Sequence, residues 1–440
     1  MRRRSFISNL SLLSGTALYA VDRSDAAEKD SSHSFRTVGT VFEPAREVPV
    51  IEKTDVVVIG GGPAGVAAAI SSSRAGARTI LVERYNHLGG IWTGGLVLPL
   101  LSTHAMQKNG TFEKVIYGIG DEIAQKLNGM GMTVNEVNPV VDPEAAKYVL
   151  DVMIKESGTR VLYHCRASNV IVEDNKITAV ILETKSGRVA IQATMIVDCT
   201  GDGDIFHLAG ENYEEMKYNI GLVHRLGNID RIDKTKPGYK EMPIGGATPL
   251  PSVNWVNMGG ETNQNGIDLY TLSELQQNYR IAIWEATEKI RSTPGYEEVF
   301  LLDTASQLGV RMSRILHGEY TLTLKDSMTY RTFDDAIGVS GSWTTVSYDG
   351  RRIAPKNRPS WQIPYRSLVP KKIDNLLVAG RCFSFDPKMV EDARIIGTCL
   401  ITGHGAGAAA AVAAGTNTTA RDVDIRRVRQ TLREQNVYLG

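Results

Sequence analysis

The feature that most constrains this chain is a strand that ends in a glycine turn and runs at once into a helix of small residues, between Thr54 and Glu83. Asp55 to Ile59 is a short apolar, β-branched run suited to a strand buried on both faces. It ends in Gly60-Gly61-Gly62-Pro63-Ala64-Gly65, which fits the spacing G-x-G-x-x-G. Pro63 suits a first helical turn, and Ala64, Gly65, Ala67, Ala68 and Ala69 let the helix lie close against a sheet before Gly76 ends it. Arg78 to Val82 reads as a second buried strand, with Glu83 at its tip 23 residues after Gly60, where an acid accepts hydrogen bonds from a ribose hydroxyl. Such a helix start offers unpaired N–H groups to a pyrophosphate, and Gly62 lacks the Cβ that would block its approach. A glycine turn alone would fit any α/β domain; strand, turn, small-residue helix, strand and acid in order imply a dinucleotide site.

Length and composition agree with an enzyme-sized globular chain. The 440 residues are 42% hydrophobic and 22% charged, enough for two or three domain-sized units with a sizeable core. Lys plus Arg and Asp plus Glu number 49 each, so there is no basic footprint for nucleic acid, and a small-molecule partner is expected. The four cysteines, Cys165, Cys199, Cys382 and Cys399, form no C-x-x-C pair, which argues for buried thiols and against a dithiol centre, an iron–sulfur cluster or a metal site.

Residues 1–27 read as an address. Arg2-Arg3-Arg4-Ser5-Phe6-Ile7 resembles a twin-arginine export signal, and the mildly apolar stretch from Phe6 to Ala20 is too short for a membrane span. The expectation is a periplasmic or secreted protein with no membrane span once the signal is removed. Residues 28–50, polar and carrying Pro44 and Pro49, read as a linker with an edge strand around Phe35 to Val41.

After Glu83, the segment Arg84-Tyr85-Asn86-His87-Leu88-Gly89-Gly90-Ile91-Trp92-Thr93-Gly94-Gly95 has too many glycines for a regular element and can press its backbone on a flat ligand. Together, GGGPAGVAAAI and VERYNHLGG resemble the FAD-dependent oxidoreductases of the glutathione-reductase-like superfamily. Phe112 to Met130 and Pro143 to Ser157 read as helices, the second opened by Asp142. The runs Arg160 to Cys165, Asn169 to Glu173, Lys176 to Thr184 and Gly187 to Thr194 read as strands, the last three as a meander. The run Met195 to Asp198 then ends in Cys199-Thr200-Gly201-Asp202-Gly203-Asp204, and this D-x-T-G-D-G pattern resembles the second FAD-contacting motif of that superfamily.

Residues 205–370 show no second glycine turn after a strand and are expected to form the substrate or cap domain, with a helix from Leu272 to Ser292 and strands at Val299 to Asp303 and Ser342 to Tyr348. Three runs here, Gly309 to Thr323, Phe333 to Gly338 and Ile363 to Pro370, resemble a narrower family: FAD-dependent oxidoreductases similar to the flavoprotein core of heterodisulfide reductase, without its cysteine-rich segments. Asn375 to Arg381 reads as a further buried strand, and Arg394 to Gly407 leads into an alanine-rich helix whose start, by the same resemblance, closes the FAD site. Arg421 to Glu434 reads as a surface helix.

The expected fold class is therefore α/β, a Rossmann-like FAD-binding domain assembled from residues 51–204 and 371–440 with an inserted α+β cap at 205–370. The resemblance implies one FAD, held by Gly60, Gly62, Pro63, Ala64, Gly65, Glu83, Arg84, Gly89, Gly90, Thr93, Thr200, Gly201, Asp202, Gly380, Arg381, Gly403 and Gly405. Candidate catalytic residues are Arg311, Arg314, Tyr365 and Arg366: a guanidinium could hold a substrate anion or steady reduced flavin, and the phenol could move a proton. The competing reading is structural, with the arginines paired to acids such as Asp334 or Asp335. The implied function is a dehydrogenase or oxidase moving a hydride between a small organic substrate and the flavin. A fumarate-reductase-like ene reductase, a non-redox FAD-containing isomerase or hydratase, and a binding protein remain as alternatives.

Overall fold

The computed structural model describes residues 38–440 except Met258. The export signal expected at 1–27 therefore lies outside the described residues. Residues 38–49 carry no strand, and β1 starts at Val50.

The chain forms two compact units. The larger comprises residues 45–94, 98–216 and 314–440, and is organised by a seven-stranded sheet. Its centre is β1 (Val50–Ile59), where Val56, Val57 and Val58 are fully buried. On one side β1 pairs in parallel with β2 (Thr79–Val82), which pairs in parallel with β3 (Arg160–Leu162). A meander, β4 (Arg166–Glu173), β5 (Lys176–Thr184) and β6 (Gly187–Asp198), returns to the other side of β1. The long strand β6 exchanges partners along its length. Gly187 to Ile191 pairs antiparallel with β5, while Ile196 to Asp198 pairs in parallel with β7 (Leu376–Val378). The parallel part thus runs β3-β2-β1-β6-β7, a doubly wound half-sheet with an antiparallel hairpin grafted on it.

Two helices cover β1 and explain its unbroken apolar run. One is α1 (Pro63–Arg74); α2 (Ile119–Gly129) and α3 (Pro143–Ser157) follow it in the chain; the other is a buried helix near the end of the chain, α5 (Ile396–Thr416). The backbones of α1 and α5 touch through glycines: a Cβ on Gly403 would lie 2.0 Å from the Ala64 carbonyl oxygen, and one on Gly407 2.1 Å from that of Ala68. The glycine and alanine positions share a four-residue spacing, so one face of each helix is stripped to backbone. The surface helix α6 (Ile425–Glu434) is capped by Asp424, which accepts from the Arg426 amide at 3.0 Å.

The smaller unit is built on residues 217–313. A four-stranded antiparallel sheet has His224–Gly227 between Asn254–Val256 and Phe300–Thr304, and a three-stranded sheet centres on Tyr218–Gly221. Its long helix, α4 (Leu269–Arg291), starts at Asp268, whose side chain accepts from the Thr271 amide at 2.7 Å. Leu275, Tyr279, Ile283, Thr287 and Ile290 form its buried stripe, and the Tyr279 hydroxyl donates to the Ile220 carbonyl at 2.8 Å. The α/β Rossmann-like unit with an inserted α+β unit is thus what the chain forms, but the insert's limits of 205 and 370 need correction. The compact insert ends at Ser313, because Arg314–Leu316 pairs with Tyr213–Glu215 and Leu316 enters the core under the parallel sheet.

Two elements also differ from expectation. The helix expected from Phe112 starts only at Ile119: Phe112–Lys114 closes a hairpin with His104–Met106, and Gly118 takes a φ of +61° before the helix. The strand expected from Ser342 is reduced to Val346–Tyr348, paired with Arg351–Ile353, because Gly341 to Thr344 is drawn into loop contacts.

Candidate functional site

The carboxyl ends of the parallel strands β2, β1, β6 and β7 bring most of the expected cofactor residues together in the larger unit. At the end of β1, Gly60 has a φ of +101°, and a Cβ there would meet the Cys199 carbonyl oxygen at 2.4 Å. A Cβ on Gly65 would sit 1.7 Å from the Gly60 carbonyl oxygen, so α1 can leave the turn this tightly only with glycine at that position. Gly62 is different. Its φ is −66°, and a Cβ would find no atom of the described residues within 4 Å. Gly62 caps α1 with no side chain, Pro63 has no amide hydrogen, and the Ala64 and Gly65 amides precede the first intrahelical bond, which runs from the Val66 amide to the Gly62 carbonyl at 2.9 Å. An uncapped helix start beside open space is what a diphosphate requires.

Glu83 stands where expected but has local work as well. It is 5% exposed, and its two oxygens accept from the Gly61 amide at 2.6 Å and the Tyr85 amide at 2.8 Å. Each carboxylate oxygen retains a second lone pair for a ribose hydroxyl. Arg84 is exposed and lies over the Tyr85 ring at 4.8 Å. The following loop folds back on the turn: the Gly89 amide donates to the Gly61 carbonyl at 2.8 Å, and a Cβ on Gly90 would lie 3.1 Å from the Gly62 Cα. Thr93 is buried and donates to the Leu88 carbonyl at 2.5 Å, with His87 Nδ1 3.2 Å from its hydroxyl.

The second glycine–acid turn is held by a residue that sequence reasoning passed over as part of a motif. Asp198, fully buried at the end of β6, accepts four hydrogen bonds: from the Thr200 amide and hydroxyl at 3.0 and 2.7 Å, and from the Ile205 and Phe206 amides at 3.0 and 3.1 Å. Burial pushes its carboxyl up to about 6 against the pull of these donors. Beyond it, Gly201 (φ +78°) makes room for the Arg381 guanidinium, whose Nη1 would lie 2.4 Å from a Cβ there. Arg381 Nη2 donates to Asp202 Oδ1 at 2.7 Å, whereas its buried Nε has no acceptor among the described residues. Gly380 (φ +86°) brings this arginine to the first turn of α1: a Cβ on Gly380 would lie 3.2 Å from the Ala64 Cβ, and its amide donates to Thr402 Oγ1 at 3.0 Å. A partly buried guanidinium with an unused donor, on the residue after a glycine packed against the bare helix start, fits an anionic nucleotide.

Gly403 and Gly405 lie about two turns inside α5, not at its start. Their packing accounts for them: Gly403 against the Ala64 backbone, and Gly405 against Ile337, whose Cδ1 would be 2.4 Å from a Cβ.

Within the larger unit, the candidate catalytic residues Arg314, Tyr365 and Arg366 each have a separate partner. Arg311 belongs to the smaller unit, and Arg314 opens the strand Arg314–Leu316 in the larger one, so no helix places the two on a common face. Arg314 is 8% exposed, donates from Nη1 to the Asp202 carbonyl at 2.9 Å and to Asp204 Oδ1 at 3.2 Å, and has its guanidinium 5.6 Å from the Tyr213 ring centre. Arg366 is half exposed and grips Asp335, with Nε to Oδ2 at 2.9 Å. The Tyr365 hydroxyl is buried and donates to the Ala420 carbonyl at 2.7 Å.

The family model described as FAD dependent oxidoreductase matches residues 55–246 and 225–432. Thiamine thiazole synthase of Metallosphaera sedula is 29% identical over 174 residues, 37% of this chain and 59% of that protein. Its counterpart in Aeropyrum pernix is 28% identical over 162 residues, 34% of this chain and 55% of that protein. The chain thus spans less than two thirds of the length of these relatives. Among solved structures, a geranylgeranyl bacteriochlorophyll reductase-like protein from Thermoplasma acidophilum aligns over 88% of this chain and 84% of its own, at 14% identity and a TM-score of 0.43. A p-nitrophenol 4-monooxygenase from Pseudomonas putida aligns over 88% and 90%, at 10% identity and a TM-score of 0.44.

Proposed function

The chain belongs to the FAD dependent oxidoreductase family, and from that premise we propose that it moves a hydride between a small organic substrate and FAD held over the glycine turn at Gly60–Gly65. The observation that carries this reading is the meeting, at one end of the parallel strands, of the uncapped start of α1, the open side of Gly62 and the unpaired Nε of Arg381. Bound FAD supplies the redox chemistry; the protein's part is to bind, orient and shield it. The Ala64 and Gly65 amides and Arg381 would take the diphosphate, and Glu83 the ribose. Asp198 fixes the turn that carries Gly201 and Asp202, and Asp202 sets the orientation of Arg381.

Among the described residues, one strand leads into a G-x-G-x-x-G turn and helix, which favours a dehydrogenase or oxidase over a disulfide reductase that also carries a pyridine-nucleotide domain. The arginine run at Arg2–Arg4 supports export of the folded, FAD-loaded chain. Anaerobic titration of the purified protein with dithionite, followed by reoxidation with dyes or oxygen, tests the redox reading. Reversible bleaching of the flavin is expected, as is bleaching by at least one member of a panel of sugars, hydroxy acids and amines. A flavin that cannot be reduced, or that no dye or oxygen reoxidises, contradicts the reading in favour of structural or non-redox use of FAD.

A further inference from the structure

Behind the nucleotide cradle stands a residue that no sequence motif singles out. The strand β7 ends at Val378, and the following Ala379 amide still donates to the Asp198 carbonyl, at 2.9 Å. The next amide, that of Gly380, has left the ladder and turns inward at a φ of +86°. A buried amide at such a point needs an acceptor from elsewhere in the fold. Thr402 of α5 supplies it, with the Gly380 amide donating to Thr402 Oγ1 at 3.0 Å. Thr402 is fully buried, and its own hydroxyl hydrogen is directed back along the helix at the Thr398 and Cys399 carbonyls, each 3.0 Å away. That donation fixes the hydrogen and leaves an oxygen lone pair for Gly380.

The adjacent residue of α5 grips the other half of the cradle. A Cβ on Gly403 would lie 2.0 Å from the Ala64 carbonyl oxygen, so α5 rests directly on the first turn of α1. Two consecutive positions of one helix therefore hold the turn that carries Arg381 and the helix start that carries the Ala64 and Gly65 amides. The two held parts also touch, because a Cβ on Gly380 would lie 3.2 Å from the Ala64 Cβ. At its far end the Arg381 side chain, 16% exposed, passes over Gly201 and donates from Nη2 to Asp202 Oδ1 at 2.7 Å. The arginine is thus pinned at its root by Thr402 and at its tip by Asp202. A tilt of the Gly380 peptide would swing the guanidinium through a larger distance, since the side chain acts as a lever.

We propose that Thr402 is a positioning residue for the cofactor diphosphate: by holding the Gly380 amide it sets the Arg381 guanidinium within reach of the anion that the Ala64 and Gly65 amides bind. This rests on the FAD reading above and deepens it, because Thr402 acts through Arg381.

Dissociation of FAD from the purified holoprotein, followed by the fluorescence of released cofactor on dilution, tests this without any turnover. Thr402→Val removes the acceptor, and its FAD Kd should rise by about tenfold or more. Thr402→Ser restores the acceptor and should return the Kd to within about threefold of the wild type. Thr402→Cys offers sulfur, a weaker acceptor, and should fall between; it takes the place of the valine variant should that one not fold. The deciding arm is a double-mutant cycle with Arg381→Met, which on its own should weaken FAD binding. In that background Thr402→Val should add less than about twofold, because its effect passes through the guanidinium. Equal FAD affinity in wild type and Thr402→Val overturns the proposal, as does a serine variant as weak as the valine one. So does a Thr402→Val loss that persists undiminished beside Arg381→Met, which would show that the hydroxyl only braces the turn against α5. A wild type that carries FAD and gives any of these results fails this inference alone; a wild type that carries none and takes up none fails the FAD reading and this inference with it.

Discussion

Three glycines in the fingerprint and its neighbouring helix show how a single residue type does unlike jobs. Gly65 and Gly403 are needed by the fold, since a Cβ would lie 1.7 Å from the Gly60 carbonyl oxygen and 2.0 Å from the Ala64 carbonyl oxygen respectively. Gly62 is not, since its φ is ordinary and its Cβ position is open. Gly403→Ala should therefore lower stability by about 2–4 kcal/mol, because backbone cannot yield to a methyl group as a flexible side chain can. Urea denaturation of the apoprotein measures this; an unchanged midpoint would mean that α1 and α5 are not in backbone contact. The family resemblance implied that Gly403 and Gly405 meet the cofactor, with close packing as the competing reading, and no pattern could decide, because a glycine facing a helix and one facing a ligand look alike until the partner backbone is located. Arg314 and Arg366 were equally ambiguous. The acids that meet them, Asp202 through its carbonyl, Asp204 and Asp335, are set by strand pairing far along the chain.

His404 supplies a residue-scale pH test. It is buried within α5, with Nε2 2.7 Å from Gln435 Oε1, and burial takes its pKa down to about 4. The unfolded imidazole titrates near about 6.5, so as pH falls the unfolded chain takes up the proton first and stability drops between pH 6.5 and 4, by about 3 kcal/mol for the full shift. His404→Gln should remove that part of the acid sensitivity. The check is the difference in unfolding free energy between wild type and variant across this window; parallel profiles would show that His404 is not held neutral.

At the scale of elements, the parallel core was legible and its interruptions were not. The apolar runs at Asp55–Ile59, Arg78–Val82 and Met195–Asp198 are each too continuous for a strand with one wet face, and all three became central strands. The expected helix from Phe112 failed because the hairpin at its start depends on pairing with His104–Met106 and on the positive φ of Gly118, neither of which helical periodicity reports. The turn after β6 depends on Asp198, whose four donors come from the following turn and the helix start. Asp198→Ala leaves those buried amides without an acceptor and should cost about 2–4 kcal/mol. It should also reduce FAD retention by displacing Gly201 and Asp202. Full FAD content after dialysis of this variant would contradict the role given to the turn.

For the molecule as a whole, the α/β class and the presence of an insertion were legible from pattern alone, but the end of the insertion was misjudged. Residues 314–370 lack a strong period of their own, and long-range contacts return them to the larger unit: the pairing of Arg314–Leu316 with Tyr213–Glu215, Ile337 against Gly405, and the Tyr365 hydroxyl on the Ala420 carbonyl. The proposed export belongs to this scale too. Replacing Arg3 and Arg4 by Lys should leave full-length, FAD-loaded precursor in the cytoplasm, and equal periplasmic recovery of the double variant would point to another route or none.

The central claim, that FAD is held over the turn at Gly60–Gly65, is tested most directly by Gly62→Val. Because a Cβ there meets no atom of the described residues within 4 Å, the variant should fold with the stability of the wild-type apoprotein, while its side chain fills the space the diphosphate needs. The measurement is FAD released per chain after purification, taken with the melting temperature of apo and FAD-supplemented samples. The account predicts one FAD per wild-type chain, none in Gly62→Val, and a rise in melting temperature with added FAD in the wild type only. Stoichiometric FAD in the variant, or a colourless wild type that gains nothing from added FAD, would contradict it.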